Sequence, residues 1–128
     1  MSACHCGSGR PYAACCGPLH AGAENAASAE ALMRSRYSAY VLKLADYLLA
    51  TWHPDTRPSE LDLAADGTKW LGLEIRKHVQ PDDTHATVEF VARYRIAGRG
   101  HRLHERSRFV REDGCWRYVD GDLLGAAG

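Results

Sequence analysis

Apolar residues change period once along this chain, and the change divides it into a helical part and a sheet part. Ala29, Leu32, Met33, Tyr37, Tyr40, Val41 and Leu44 recur at steps of three and four, as on one face of an α-helix. This spacing predicts a helix from residue 29 to about 43. Ser28 reads as its N-cap, and Glu30 lies in the first turn, where a negative charge suits the helix dipole. Arg34, Ser35, Ser38 and Lys43 fall on the opposite, polar face. Asp46 reads as the cap of a short second helix, Tyr47 to Trp52, stopped by Pro54. Pro58-Ser59-Glu60-Leu61-Asp62 reads as a third start, with Asp66-Gly67 as its end.

Beyond Gly67 the period becomes two. Leu71, Leu73, Ile75 and Val79 alternate with Trp70, Gly72, Glu74, Arg76 and His78. After a turn at Pro81-Asp82-Asp83, the even positions Ala86 to Ile96 alternate with a more polar set. Gly98-Arg99 is expected to turn the chain into a strand from His101 to Arg111. Asp113-Gly114, a strong hairpin signal, leads into Cys115 to Asp120. Helices followed by an antiparallel meander predict an α+β domain. A two-residue turn at Gly98-Arg99 sets Tyr94 opposite Leu103, Ala92 opposite Glu105, Phe90 opposite Ser107 and Val88 opposite Phe109. The Asp113-Gly114 turn sets Phe109 opposite Tyr118, Arg111 opposite Trp116 and Ser107 opposite Asp120. One face then carries Phe90, Tyr94, Phe109, Trp116 and Tyr118 together with Glu105, Ser107 and Asp120.

The totals narrow the functional classes. A chain of 128 residues, 45% hydrophobic and 25% charged, has the make-up of one globular domain. Its net charge of zero supplies no overall field toward nucleic acid or membrane, so any such attraction is local. No apolar run approaches the ~20 residues of a spanning helix. The Met-Ser-Ala start has neither a basic region nor an apolar one, so a cytoplasmic protein with reduced thiols is expected.

Those thiols are concentrated. Cys4, Cys6, Cys15 and Cys16 lie in one short stretch whose glycines, Gly7, Gly9 and Gly17, permit tight wrapping, with Pro11 and Pro18 stiffening the turns. A metal ion held by four thiolates explains that density. The rival readings are a disulfide, hard to form between vicinal Cys15 and Cys16, and a redox pair, which more often shows Cys-x-x-Cys. Four thiolates suit one structural Zn²⁺, and iron accepts the same sulfur set.

Cys4-His5-Cys6-Gly7-Ser8-Gly9-Arg10-Pro11-Tyr12-Ala13-Ala14-Cys15-Cys16 resembles the SEC-C motif, the metal-binding tail of the SecA translocation motor. Arg10 stands where lysine is commoner in that motif. The resemblance implies Cys4, Cys6, Cys15 and Cys16 as zinc ligands. It also implies a protein- or ribosome-interaction role, since the SecA tail contacts the chaperone SecB and the ribosome. The stretches Ala29 to Tyr40, Thr51-Trp52-His53-Pro54 and Trp70-Leu71-Gly72-Leu73 resemble the bacterial YchJ-like proteins. That likeness implies a SEC-C motif over residues 1–22 and a nuclear-transport-factor-2-like (NTF2-like) domain over 28–124. Such a domain has helices on a curved sheet and a cavity between them.

An apolar face with a few converging polar groups is the pattern of a ligand pocket, here Tyr94, Glu105, Ser107, Trp116, Tyr118 and Asp120. Burial would raise the pKa of the Glu105 carboxyl, as in general acids and bases. The alternative for Glu105 is a structural pair with Arg34 or Arg36. His53 is a candidate proton shuttle or, before Pro54, a helix closer. Neither is assigned a catalytic role. Cys115 falls on the outward face, as an ordinary thiol or a substitute metal ligand. Arg93, Arg95, Arg102, Arg106, Arg108 and Arg117 share that face with His104 and Glu89. They could bind nucleic acid, or form a solvated face with pairs such as Glu89–Arg108. Aromatic residues for base stacking are missing there. Three functions follow: an interaction module, a small-molecule pocket and, last, a nucleic-acid surface, with no membrane role.

Overall fold

The computed structural model describes residues 4–61 and 68–124. The cysteine-rich segment closes on itself through a 3-10 turn, Tyr12–Ala14, and a short helix α1, Cys16–His20. Next come helices α2, Ala29–Leu42, and α3, Ala45–Ala50. The remainder is a four-stranded antiparallel meander: β1 Lys69–Val79, β2 His85–Ile96, β3 Arg99–Glu112 and β4 Cys115–Leu123. Among the described residues no helix is long and apolar enough to cross a membrane.

Helix α2 starts where its cap predicts, with the Ser28 hydroxyl accepting from the Ala31 N–H at 3.1 Å. It stops at Lys43, whose φ of 61° takes the left-handed conformation that ends many helices. Helix α3 departs from expectation. It begins at Ala45, its N-cap is Leu44, and Asp46 sits inside the first turn rather than capping it. The expected third helix falls largely on residues 62–67, outside the described residues.

Ala29, Leu32, Met33 and Tyr37 of α2 meet Ala86, Val88, Phe90, Ala92, Phe109 and Trp116 of the sheet in one core. Burying an aliphatic or aromatic side chain of this size contributes about 1.5–3 kcal/mol. The polar face of α2 is also covered. Ser35, Arg36 and Ser38 are buried because α3 and the cysteine segment lie against them.

Three register details differ from the sequence pattern. The β2–β3 turn is Ala97-Gly98, both with positive φ, so Ile96 pairs with Arg99 and Phe90 with Glu105. That moves each pairing by two residues and leaves every side chain on its expected face, since the strand period is two. In β1, irregularities between Trp70 and Gly72 and between Ile75 and Lys77 turn Trp70 inward beside Leu73 and Ile75. Leu71 and Val79 are left exposed. In β3–β4, Phe109 faces Tyr118 as expected, but an irregularity at Val119 pairs Arg108 with Asp120 and Ser107 with Gly121.

Candidate functional site: a cysteine knuckle and an aromatic cavity

The backbone of the first segment is drawn together by its own bonds. The Cys4 N–H donates to the Arg10 carbonyl at 2.8 Å, and the Gly7 N–H to the Cys4 carbonyl at 3.3 Å. Gly7 and Gly9 both hold φ at 81°, a region costly for a side chain. The Sγ atoms of Cys4, Cys6, Cys15 and Cys16 consequently lie within 4.8 Å of one another, and all are free thiols. Sulfurs ~2.3 Å from a common zinc ion stand about 3.8 Å apart at tetrahedral corners. Cys6–Cys15 at 3.5 Å and Cys15–Cys16 at 3.9 Å suit that geometry. A hydrogen bond from Cys16 holds Cys6 down to about 4, and the same bond pushes Cys16 above the ordinary thiol range. A cation accounts for such a cluster by replacing the shared protons. These four residues would hold the metal. Saturated by thiolates, it would supply rigidity and no open position for water. Cys115 is not in the cluster.

The knuckle is clamped to α2. The Arg34 Nη1 donates to the Cys6 carbonyl at 2.8 Å, and the Ser38 Oγ lies 3.4 Å from Cys4 Sγ and 3.5 Å from Cys16 Sγ. His20 joins three elements. Its Nε2 is 2.8 Å from the Ser35 carbonyl, which can only accept, so Nε2 carries the proton. Nδ1 is then the acceptor for the Tyr12 hydroxyl at 2.6 Å. The Tyr47 hydroxyl of α3 reaches the Ser35 Oγ at 2.7 Å.

A cavity of about 230 Å³ lies between α2, the segment after α3 and the sheet. Its apolar wall is Met33, Tyr37, Tyr40, Trp52, Trp70, Phe90, Ala92 and Leu103, and Arg36, Glu105, Ser107 and Tyr118 add polar atoms. The chain places Trp52 by bridging to β4. The His53 N–H donates to the Tyr118 carbonyl at 2.7 Å, and the Tyr118 N–H to the Thr51 carbonyl at 2.8 Å. The Arg36 guanidinium lies against the Trp52 ring at 5.0 Å and the Tyr118 ring at 4.6 Å. Its Nη1 donates to the Leu48 carbonyl at 2.8 Å and to Thr51 Oγ1 at 2.7 Å. None of these contacts is to a carboxylate, and burial pushes the guanidinium pKa below its ordinary value. Glu105 Oε2 accepts from Ser107 Oγ at 2.5 Å and Tyr118 Oη at 3.5 Å. Gly121 leaves room for this carboxylate, which a Cβ there would strike.

The expected pocket residues therefore separate. Glu105, Ser107 and Tyr118 line the cavity. Tyr94 lies outside its lining, stacked on His101 at 5.2 Å and tilted against Trp70 at 5.3 Å. Trp116 is buried in the core and borders a different hollow. Asp120 is on the outer face, where its carboxylate takes the Arg108 Nε at 2.6 Å, because Val119 breaks the alternation. Neither Arg34 nor Arg36 pairs with Glu105. Arg34 instead pairs with Glu30 at 3.2 Å. His53 ties the loop to β3, with Nε2 2.9 Å from Glu112, and is not among the cavity's residues. Arg36, Tyr37, Tyr40, Trp52 and Trp70 had no pocket signal in the sequence, since tertiary packing brings them to the cavity.

The outer sheet face carries acids among its arginines. Glu89 pairs with His104 at 2.8 Å rather than with Arg108. Arg108 takes Asp120 and Asp122, Arg106 approaches Asp122 at 3.7 Å, and Arg93 approaches Glu74 at 3.9 Å.

Comparison with known proteins agrees with this architecture. Residues 28–121 match the family described as YchJ, middle NTF2-like domain, and residues 2–18 match the SEC-C motif. A UPF0225 protein of Bordetella parapertussis is 64% identical over 124 residues, covering 95% of this chain and 93% of the relative. One from Ralstonia nicotianae is 58% identical, covering 95% and 92%. The solution structure of a SEC-C motif containing protein from Rhodopseudomonas palustris has a TM-score of 0.87 at 40% identity, covering 96% of this chain and 99% of that one. A crystal structure of another from Psychrobacter arcticus has a TM-score of 0.80 at 29% identity, covering 100% and 86%. With a four-cysteine knuckle clamped to a helix-on-sheet domain, and relatives this similar along nearly its whole length, the chain belongs to the UPF0225 (YchJ) family of SEC-C motif proteins.

Proposed function

We propose that this protein binds a small molecule in the aromatic cavity, with the metal knuckle acting as a structural clamp on helix α2. The supporting observation is Arg36, a buried guanidinium on the cavity wall whose contacts among the described residues include no carboxylate. A buried charge with no carboxylate in direct contact is costly, and a ligand that pairs with it would offset that cost beyond what the more distant Glu105 supplies. The tyrosine and tryptophan walls suit an organic ligand rather than a simple ion. A thermal-shift screen of small aromatic fragments tests this. Stabilisers of the metal-loaded protein should lose their effect in Glu105→Gln, while Arg95→Gln on the outer face should respond as wild type. Failure of every fragment to stabilise the folded protein would count against the cavity as a binding site.

A second reading, a protein- or ribosome-interaction module in the cytoplasm, draws on the resemblance to SecA tails. Its support here is the exposure of His5, Gly9, Arg10, Ala13 and Ala14 on the outer side of the knuckle. Co-sedimentation with purified ribosomes, weakened by Arg10→Ala with metal content unchanged, would favour it. The nucleic-acid reading has less support, because carboxylates lie among the outer arginines.

A further inference from the structure

The polar groups of the cavity are unevenly committed. Arg36 uses Nη1 for the Leu48 carbonyl and Thr51, and its guanidinium also interacts with the Tyr40 hydroxyl on the cavity wall. Trp52 lines the same cavity, and its Nε1–H is buried with no acceptor among the described residues. Buried donors are seldom left unmatched, so an orphan beside a hollow marks where an acceptor is wanted. On the other side, Glu105 receives both its hydrogen bonds on Oε2, leaving Oε1 without a donor among the described residues. Arg36 lies over the Tyr118 ring, whose hydroxyl reaches Glu105, so the two charges share one aromatic neighbour. The cavity thus offers donors with a positive charge and an acceptor with a negative charge among flat apolar walls.

We infer that its ligand is a small zwitterion on a flat apolar body, with the chemistry of an aromatic α-amino acid. This rests on the reading of the cavity as a small-molecule site. A carboxylate would meet Arg36 and the Trp52 Nε1–H, and an ammonium would meet Glu105 Oε1 with the tyrosine and tryptophan faces around it. A lone anion would add a charge beside Glu105, and a lone cation would add one beside Arg36. A zwitterion matches both and keeps the site neutral. The volume of about 230 Å³ equals roughly eight waters at ~30 Å³ each, room for one aromatic ring with a short polar end.

Calorimetric titration of the metal-loaded protein with L-phenylalanine, 3-phenylpropionate and phenethylamine tests the assignment. L-Phenylalanine should bind at least about tenfold more tightly than either analogue, which lacks one of its two charges. Glu105→Gln should remove the advantage over 3-phenylpropionate. Arg36→Lys, which keeps the positive charge, should retain part of the advantage over phenethylamine. Equal affinity for all three, or binding of one singly charged analogue alone, would overturn the zwitterion assignment. Indole, a neutral ring, serves as the control. If indole binds and L-phenylalanine does not, the ligand class is wrong and the cavity reading survives. If none of the four binds, both fall.

Discussion

Ser28 leaves its backbone extended, at φ −152° and ψ 166°, and gives its hydroxyl to the first turn of α2. The first residues of a helix lack carbonyl partners for their N–H groups, so this one oxygen is worth about 1 kcal/mol. Ser28→Ala should lower stability by about that amount in urea titration, with an unchanged m-value. Ser28→Gly should recover most of the loss. Single residues of this kind are readable from sequence because their chemistry is local. Arg36 is the opposite case. Its neighbours Trp52 and Tyr118 lie far along the chain, and its burial follows from their arrival.

At the scale of elements, the link between knuckle, α2 and α3 runs through His20. Burial is the main cause of its pKa falling below 6.5, and the neutral ring is the form that donates to Ser35 and accepts from Tyr12. A group whose folded pKa is depressed stabilises above its unfolded pKa and loses that contribution as pH falls through the folded value. The stability difference between wild type and His20→Gln should therefore be largest above about pH 6.5 and shrink as the pH drops below it. Melting temperatures across pH 5–8, with metal content measured at each point, check this. A constant difference would show that protonation of His20 is not linked to folding. The periodicity of α2 and the Asp113-Gly114 turn were plain in the sequence, since each depends on neighbouring residues alone. The chain irregularities at Leu71 and Val119 were not, because alternation simply continues through them in the sequence.

For the whole molecule, the knuckle and the domain form one folded body, with three of the four clustered cysteines buried and two of them touching Ser38. Protein purified without added metal or a histidine tag should contain one metal ion per chain by elemental analysis. Zinc is expected, and iron would show itself by visible absorption. Chelation should lower the melting temperature and speed hydrogen exchange in α1 and the first turns of α2. The sheet amides should stay protected, because their core does not include the cysteines. Full retention of the metal-loaded melting temperature after removal would refute the clamp.

The sequence by itself determined the four thiols and their spacing, the start and length of α2, the strand order and the face on which most sheet residues lie. These follow from ligand chemistry, capping and periodicity, all of which act over a few residues. Only the tertiary structure decided that Ser35 and Ser38 are buried, that Asp120 faces outward, and that Arg36, Trp52 and Glu105 border one cavity. Those outcomes depend on which surfaces meet across long loops and, for Asp120, on the strand irregularity at Val119. Close packing of distant side chains leaves no repeating mark in the chain that supplies them.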